Sequence, residues 1–267
     1  MFLTFNEEPD QYLVGTVLRP GNAPASRGAV GILSRLIARL RQAFPKTRIR
    51  VRLDGGFASP EVLNFLDGQE NLEYVVCMAS NPVLARRAQP AMRQARRISK
   101  ESGKTEHVYG ALRYKTKKTW KHKRRVIYKA EVVRHPGRDP KNNPRFVVTN
   151  MKQSPKWLYE KVYCQRGDLE NRIKELHYGM EIGRTSCTSF LANQFRVLMT
   201  AAAYVLMQEL RLRLARTDSA RTQVSIFRER FLKLGVRVVA SVRREIVPSL
   251  VESGGSRLSA RYATCSC

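Results

Sequence analysis

Residues 48–57 read RIRVRLDGGF, in which Arg48, Arg50 and Arg52 alternate with Ile49, Val51 and Leu53. Successive side chains of a strand point to opposite faces, so this period of two predicts a strand with one apolar face, ended by Asp54-Gly55-Gly56. Helical periods lie on both sides. Ser26 is placed to cap a helix with Leu33, Leu36, Ile37, Leu40 and Phe44 at i, i+3, i+4 spacing. Ser59-Pro60-Glu61 starts a second helix with Val62, Leu63, Phe65 and Leu66, closed by Gly68. A β-rich run, Leu72 to Met78, comes next. Another, Tyr12 to Leu18, lies upstream and leads into a type II turn at Arg19-Pro20-Gly21-Asn22. Strand, helix, strand, helix, strand predicts an α/β sheet whose pairing is at least partly parallel.

Downstream, Asn81-Pro82 opens a basic helical stretch over 83–100. Beyond it are three strand-like runs at 108–115, 125–133 and 145–150; they read as a β-rich insertion, or the last as a strand of the main sheet. Ser154-Pro155 starts a helix with a stripe of Leu158, Val162, Leu169, Ile173 and Leu176. Residues 189–214 are helical and nearly apolar, as a scaffold helix on a sheet face would be, and 236–242 could form a last short strand or helix. The Ser- and Gly-rich stretch 253–267 reads as disordered.

The chain carries 49 Lys and Arg against 22 Asp and Glu, a formal charge of +27. Residues 86–145 alone hold 20 of the cations and 4 of the acids. Such an excess calls for a polyanionic partner, because neutralising phosphates releases condensed counterions. Tyr109, Tyr114, Trp120 and Tyr128 are interleaved with this charge and could stack on bases or pack near them. The acidic start MFLTFNEEPD does not read as a signal peptide, and the apolar run Val197 to Met207 is short for a bilayer, which points to a cytoplasmic chain. Five cysteines without a CxxC pair fit reduced thiols.

Two carboxylates stand where chemistry could use them. Asp54 ends a strand of an α/β sheet, the edge at which ligands gather, and the glycines after it permit close approach; the same pattern also makes an ordinary turn. Glu170 lies between Arg166 and Lys174 at i−4 and i+4, with Tyr163 and His177 seven away on either side. That row is either a set of surface ion pairs or a group of cations for phosphates around one acid for a metal. Gly167 in mid-helix favours the second, since an unneeded helical glycine costs about 1 kcal/mol relative to alanine.

Taken together, LRPGN (18–22), VRLDGGF (51–57) and YCQRGDLENRIKEL (163–176) resemble the DDE-type transposases of bacterial insertion sequences. The family signature is Tyr, two residues, Arg, three residues, Glu, six residues, Lys. Tyr163, Arg166 and Glu170 fall in register; the fourth position is His177, with Lys174 one turn earlier. The resemblance implies a ribonuclease-H-like mixed sheet flanked by helices, with a β-rich insertion at 107–144 between core segments 1–106 and 145–215. A helical region at 216–252 would come after them. It implies Asp54 and Glu170 as the second and third catalytic and metal-binding carboxylates, for two Mg2+ or Mn2+ ions. Tyr163, Arg166, Lys174 and His177 would hold DNA phosphates.

On this resemblance the partner is double-stranded DNA at transposon ends and target, bound by a homodimer in the cytoplasm with the nucleoid and away from membranes. The family's first Asp lies on a strand well upstream of the one ending in LRPGN. The expectation is therefore a truncated transposase, inactive by itself. The alternative is a non-catalytic DNA-binding remnant that occupies transposon ends and inhibits a full-length enzyme.

Overall fold

The computed structural model describes residues 1–6, 8, 10–214, 216–217, 222–233, 239–241 and 244–246, without the side chains of 166–168, 239–241 and 244–246. In chain order the elements are β1 (Phe2–Leu3), β2 (Tyr12–Leu13), α1 (Ala29–Ala43), β3 (Ile49–Leu53), α2 (Pro60–Asp67), β4 (Leu72–Met78) and α3 (Pro82–Ser102). Then come β5 (Glu106–Tyr114), β6 (Arg124–Val133), β7 (Lys141–Asn142), β8 (Arg145–Thr149), α4 (Pro155–Trp157) and α5 (Arg166–Lys174). α6 (Phe190–Arg213), α7 (Val224–Phe231), β9 (Val239–Ser241) and β10 (Arg244–Ile246) complete the described chain. The chain forms two compact units, Arg19–Gly167 and Met1–Leu18 with Asp168–Cys267.

The first unit holds a mixed sheet in the order β3-β4-β8-β6-β5, with β7 paired to β6. β3 and β4 are parallel, joined through α2, and the remaining pairs are antiparallel. The local reasons are those of the sequence. Ser59 Oγ accepts from the Val62 amide to cap α2, and Val62, Leu63 and Leu66 are fully buried. Asn81 Oδ1 accepts from Val83 and Leu84 to cap α3, which ends at Gly103 with φ 68°, a conformation glycine takes without strain. One sheet face, through Tyr74, Val76, Val126, Phe146 and Val148, packs on α1, α2 and α3. The other, through Val75, Ile127 and Val147, packs on Leu158, Tyr159 and Val162. The stretch 107–144 thus continues the sheet of β3 and β4.

Several local expectations are corrected. Tyr12 to Leu18 is no strand of that sheet; only Tyr12 and Leu13 are extended, paired with Phe2 and Leu3. The turn runs one residue later, from the Pro20 carbonyl to the Ala23 amide, and Gly21 lacks the positive φ of a type II turn. α1 begins at Ala29 behind Gly28, with no side-chain cap from Ser26.

In the second unit Leu13, Leu176, Tyr204, Met207, Val224 and Phe227 form the core. Within this unit α6 packs against the two-stranded β1–β2 ladder. Gln208 accepts from the Leu13 amide and donates to the Gln11 carbonyl. The opposite face of α6, with Leu191 (76% exposed), Phe195 (65%) and Leu206 (66%), meets solvent. α6 is the one described helix long and apolar enough to cross a membrane by length and composition, with 22% of that window buried. The expected element at 236–242 is in part β9, which pairs antiparallel with β10; 253–267 lies outside the described residues.

Candidate active site

Asp54 sits directly after β3, at its carboxyl end, and is exposed. Its Oδ1 accepts from the Gly55 amide at 2.6 Å, capping the short 3-10 turn Gly55–Phe57. Crowding requires glycine at 56 and leaves room for a side chain at 55. A Cβ on Gly56 would lie 2.8 Å from the Ala25 Cβ, and one on Gly55 would touch Cys77 at 3.9 Å. A shallow depression opens beside the turn, lined by Gly55, Cys77, Ser80, Asn143 and Arg145. The ends of β3 and β4 and the start of β8 therefore gather a carboxylate, small residues and a cation at one sheet edge, the position where open α/β sheets hold ligands.

Tyr163 is tied to the same strand. Arg52, two residues before Asp54, donates from Nη1 to the Val162 carbonyl at 2.9 Å. The expected regular helix is interrupted here: Leu158–Tyr163 and Glu175–Gly179 are π turns on either side of α5. A π turn shifts the register of the residues beyond it, so the row Tyr163, Arg166, Glu170, Lys174, His177 is not a single α-helical stripe. Tyr163 is half-buried, its ring 5.2 Å from that of Tyr159. Arg166 opens α5. Glu170 and Lys174 are exposed on α5, and His177 is exposed in the second π turn, its Nδ1 close to Gly183.

Asp54 and Tyr163 belong to the first unit and Glu170, Lys174 and His177 to the second. Among the described residues no three His, Cys, Asp or Glu side chains gather as a metal-holding group. The donor chemistry at Asp54 still fits Mg2+ or Mn2+, because such ions take hard oxygens from one or two carboxylates and complete their shell with waters and substrate phosphates.

The model of the family described as transposase DDE domain group 1 matches residues 2–251. This chain is a member of that family. No curated protein matches it.

In this DDE transposase family member the aromatics of the basic region pack within the fold and do not form the expected base-stacking surface. Trp120 and Tyr114 are 5% and 7% exposed and pack edge-to-face at 5.6 Å. Arg124 lies over the Trp120 ring at 4.8 Å. Tyr109 donates to Glu160 at 3.1 Å, and burial, with the neighbouring Glu160 carboxylate second, pushes its hydroxyl above the ordinary tyrosine range. Tyr128 closes over Gly110, where any Cβ would collide with its ring.

Sequence reasoning missed Glu175, five positions past Glu170. Its carboxylate accepts from Arg211 Nη2 at 2.7 Å, Arg172 Nη1 at 3.0 Å, the Tyr204 hydroxyl at 3.0 Å and the Val224 amide at 3.3 Å. Burial alone would raise this carboxyl; hydrogen bonds and charge from Arg211, then Arg172, bring it below the usual range. Every donor but Arg172 comes from a distant segment, so no local signal marks this acid as structural and Glu170 as exposed.

Proposed function

We propose that the chain supplies the second and third carboxylates, Asp54 and Glu170, of a DDE transposase that nicks DNA at transposon ends and joins the freed 3′ hydroxyl to a target. The observation that carries this reading is an exposed aspartate at the end of β3, within a family match that spans residues 2–251. The ribonuclease-H-like architecture belongs to the same reading, supported by the mixed sheet with helices on both faces.

In two-metal phosphodiester chemistry the ions activate the attacking oxygen and stabilise the leaving one. Asp54 would hold metal at the sheet end and Glu170 would add a second carboxylate. Tyr163, Arg166, Lys174 and His177 would position the DNA backbone. The Gly55 amide orients the Asp54 carboxylate, and two residues without side chains after it would leave room for a cation to approach. The working location is the cytoplasm, on nucleoid DNA, with a homodimer pairing two ends.

The test has two readouts. Any nicking and strand transfer that the chain carries out on a duplex carrying the sequences that flank the gene should require Mg2+ and vanish in Asp54→Asn and Glu170→Gln. Independently, Fe2+ loaded in place of Mg2+, with hydrogen peroxide as oxidant and ascorbate to recycle the iron, should direct cleavage of the polypeptide beside residues 54 and 170, and each variant should lose its own cut. Catalysis that survives in both variants, or cleavage placed elsewhere, refutes the assignment.

A second reading is favoured by the 20-to-4 excess of cations over acids at 86–145, which serves DNA binding without Asp54. A non-catalytic binder occupying transposon ends would hold duplex DNA equally well in EDTA and show no Fe2+-directed cuts.

A further inference from the structure

α3 buries one face and charges the other. Leu84, Ala88, Ala91, Met92, Ala95 and Ser99 are buried, while Arg86, Arg93, Arg97 and Lys100 form a row along the exposed side. At 100° per residue these four fall within about 60° of one another, opposite the buried stripe. Such a row works against its own helix. Arg93–Arg97 and Arg97–Lys100 are like charges at i, i+4 and i, i+3, the spacings at which side chains meet and repel. The acid that meets the row is Glu101, 4.0 Å from Arg97, with both partners about 70% exposed. Arg87 and Arg96, by contrast, are engaged with the fold, donating to the Arg113 carbonyl at 2.9 Å and to Asn142 Oδ1 at 3.0 Å.

The spacing within the row carries more than its sign. With Arg87 turned to the Arg113 carbonyl, the exposed positions between Arg86 and Arg93 on this side are Gln89 and Pro90, both neutral. At 1.5 Å per residue that gap is about 10 Å, and Arg93 to Lys100 spans about another 10 Å. A B-DNA major groove is about 12 Å wide between its phosphate ridges. Cations on both sides of a neutral step of groove width match two strands of a duplex, whereas a single strand offers only one ridge.

A second cationic element adjoins the start of the helix. Asn81 donates to the Tyr114 hydroxyl at 3.2 Å, and the Arg87 contact to Arg113 holds the second turn of α3 beside the end of β5. From there residues 115–123 carry exposed Lys115, Lys117, Lys118, Lys121 and Lys123. This loop is pinned: Trp120 is buried, its amide donates to Thr116 Oγ1 at 2.9 Å, and Lys115 donates to the Lys121 carbonyl at 3.0 Å. A loop with a buried tryptophan anchor presents its lysines in a fixed arrangement at little further loss of entropy on binding.

From this geometry we infer that the outer face of α3, extended by the Trp120-anchored loop, is a sequence-independent site for the phosphate backbone of duplex DNA, with α3 lying across a groove. It uses none of the residues of the Tyr163–His177 segment. The inference deepens the proposed function by placing a second DNA-holding surface on the chain, and it rests on that reading only for the choice of DNA as the polyanion.

The test is salt-dependent fluorescence anisotropy of the full chain with a labelled duplex of random sequence. The Arg86→Gln, Arg93→Gln, Arg97→Gln, Lys100→Gln variant is compared with a control that loses equal charge on and near α1: Arg27→Gln, Arg35→Gln, Arg39→Gln, Lys46→Gln. Each phosphate contact contributes about 0.9 to the slope of log K against log salt. The α3 variant should therefore lose about 3 to 4 from that slope and bind at least roughly 100-fold more weakly at low salt, with the control slope unchanged. Lys117→Gln with Lys118→Gln should remove about 2 more.

Glutamine removes like-charge pairs from an exposed helix, so the α3 variant should melt no lower than the parent; if it does, the paired variants Arg86→Gln/Arg93→Gln and Arg97→Gln/Lys100→Gln replace it, each expected to lose about 2 from the slope. Equal slopes for the α3 variant and the control overturn the site while leaving the transposase reading intact. A parent chain without affinity for duplex DNA overturns both. Tighter binding of an RNA hairpin through the same four residues overturns the choice of DNA.

Discussion

The Arg52 guanidinium donates to the Val162 carbonyl at 2.9 Å, joining the strand that ends in Asp54 to the helical turn that ends in Tyr163. The carbonyl lies where a π turn gives way to α5, a break at which helical carbonyls lose their regular partners. Replacing Arg52 by Met keeps the aliphatic stem and removes the donor. A charge-assisted hydrogen bond of this kind contributes about 1.5 to 3 kcal/mol, so urea unfolding should show a loss of about 2 kcal/mol. Hydrogen exchange should accelerate first at the amides after Tyr163, and unchanged exchange there would mean the bond does not hold the junction.

Arg124 is the most deeply buried cation of the sheet, its side chain 2% exposed. It donates to Asp67 Oδ2 at 2.8 Å and to Asn64 Oδ1 at 2.7 Å; Tyr74 donates to the other Asp67 oxygen at 2.7 Å. The Asp67→Ala variant leaves that guanidinium buried without a counter-charge, which costs about 3 to 5 kcal/mol. The melting temperature should fall by about 10 °C. Adding Arg124→Met should recover part of the loss, because the uncompensated charge goes with it. A double variant as unstable as the sum of the single ones would contradict this account.

The elements most legible in the sequence are those whose signal is local. β3, α2 and β4 arise from the alternation of Arg48 to Leu53, the Ser59-Pro60 start and the run from Leu72 to Met78, and their boundaries agree with the structure within about a residue. The strand after Tyr12 ends early because, past the pairing of Val14 and Gly15 with Met1, residues 16–18 have no neighbouring strand among the described residues, and the Leu18 amide donates instead to the Gln194 side chain at 2.9 Å. Trp120 and Tyr114 failed for the opposite reason: flanking lysines imply solvent, yet the rings fold inward and only the ammonium groups stay out. Asp54 was legible as a strand end. The π turns on either side of α5 were not, since nothing in the composition of Leu158–Tyr163 or Glu175–Gly179 distinguishes i+5 from i+4 bonding.

Glu175 makes the second unit sensitive to acid. Its carboxyl lies below the usual range in the folded chain, held there against burial by Arg211 and Arg172. A depressed folded pKa adds stability above the unfolded value, near 4.3, and that stability is lost as pH falls through the folded value. At neutral pH Glu175→Gln should cost about 3 kcal/mol, since it leaves Arg211, 9% exposed, without its counter-charge. The gap between parent and variant in thermal melts should hold from pH 7 to 5 and close below about pH 4. A gap independent of pH would show that Glu175 acts only through neutral hydrogen bonds.

At Asp54 stability and proposed chemistry separate cleanly. Its side chain caps the Gly55–Phe57 turn. Asparagine caps about as well as aspartate, so Asp54→Asn should unfold within about 0.5 kcal/mol of the parent while losing the Fe2+-directed cut at residue 54. Asp54→Ala should lose the cut and, in addition, about 1 kcal/mol. Matching losses of stability in both variants would make Asp54 a structural acid and nothing more.

The outer face of α6 gives the last prediction. Leu191, Phe195, Leu198, Leu206 and Leu210 are between 43% and 76% exposed, while Val197, Tyr204 and Met207 on the other side are buried. Large exposed apolar patches bind other apolar surfaces and seldom help their own unit fold. Leu191→Gln with Leu206→Gln should therefore leave the unfolding free energy within about 0.5 kcal/mol, as surface changes do. Binding of an apolar dye to the native chain should fall, and solubility at high concentration should rise. Tyr204→Ala, on the buried side of the same helix, should instead cost about 3 to 5 kcal/mol, as large core truncations do. If the two outer substitutions destabilise the chain as much as Tyr204→Ala, the outer face is packed in solution.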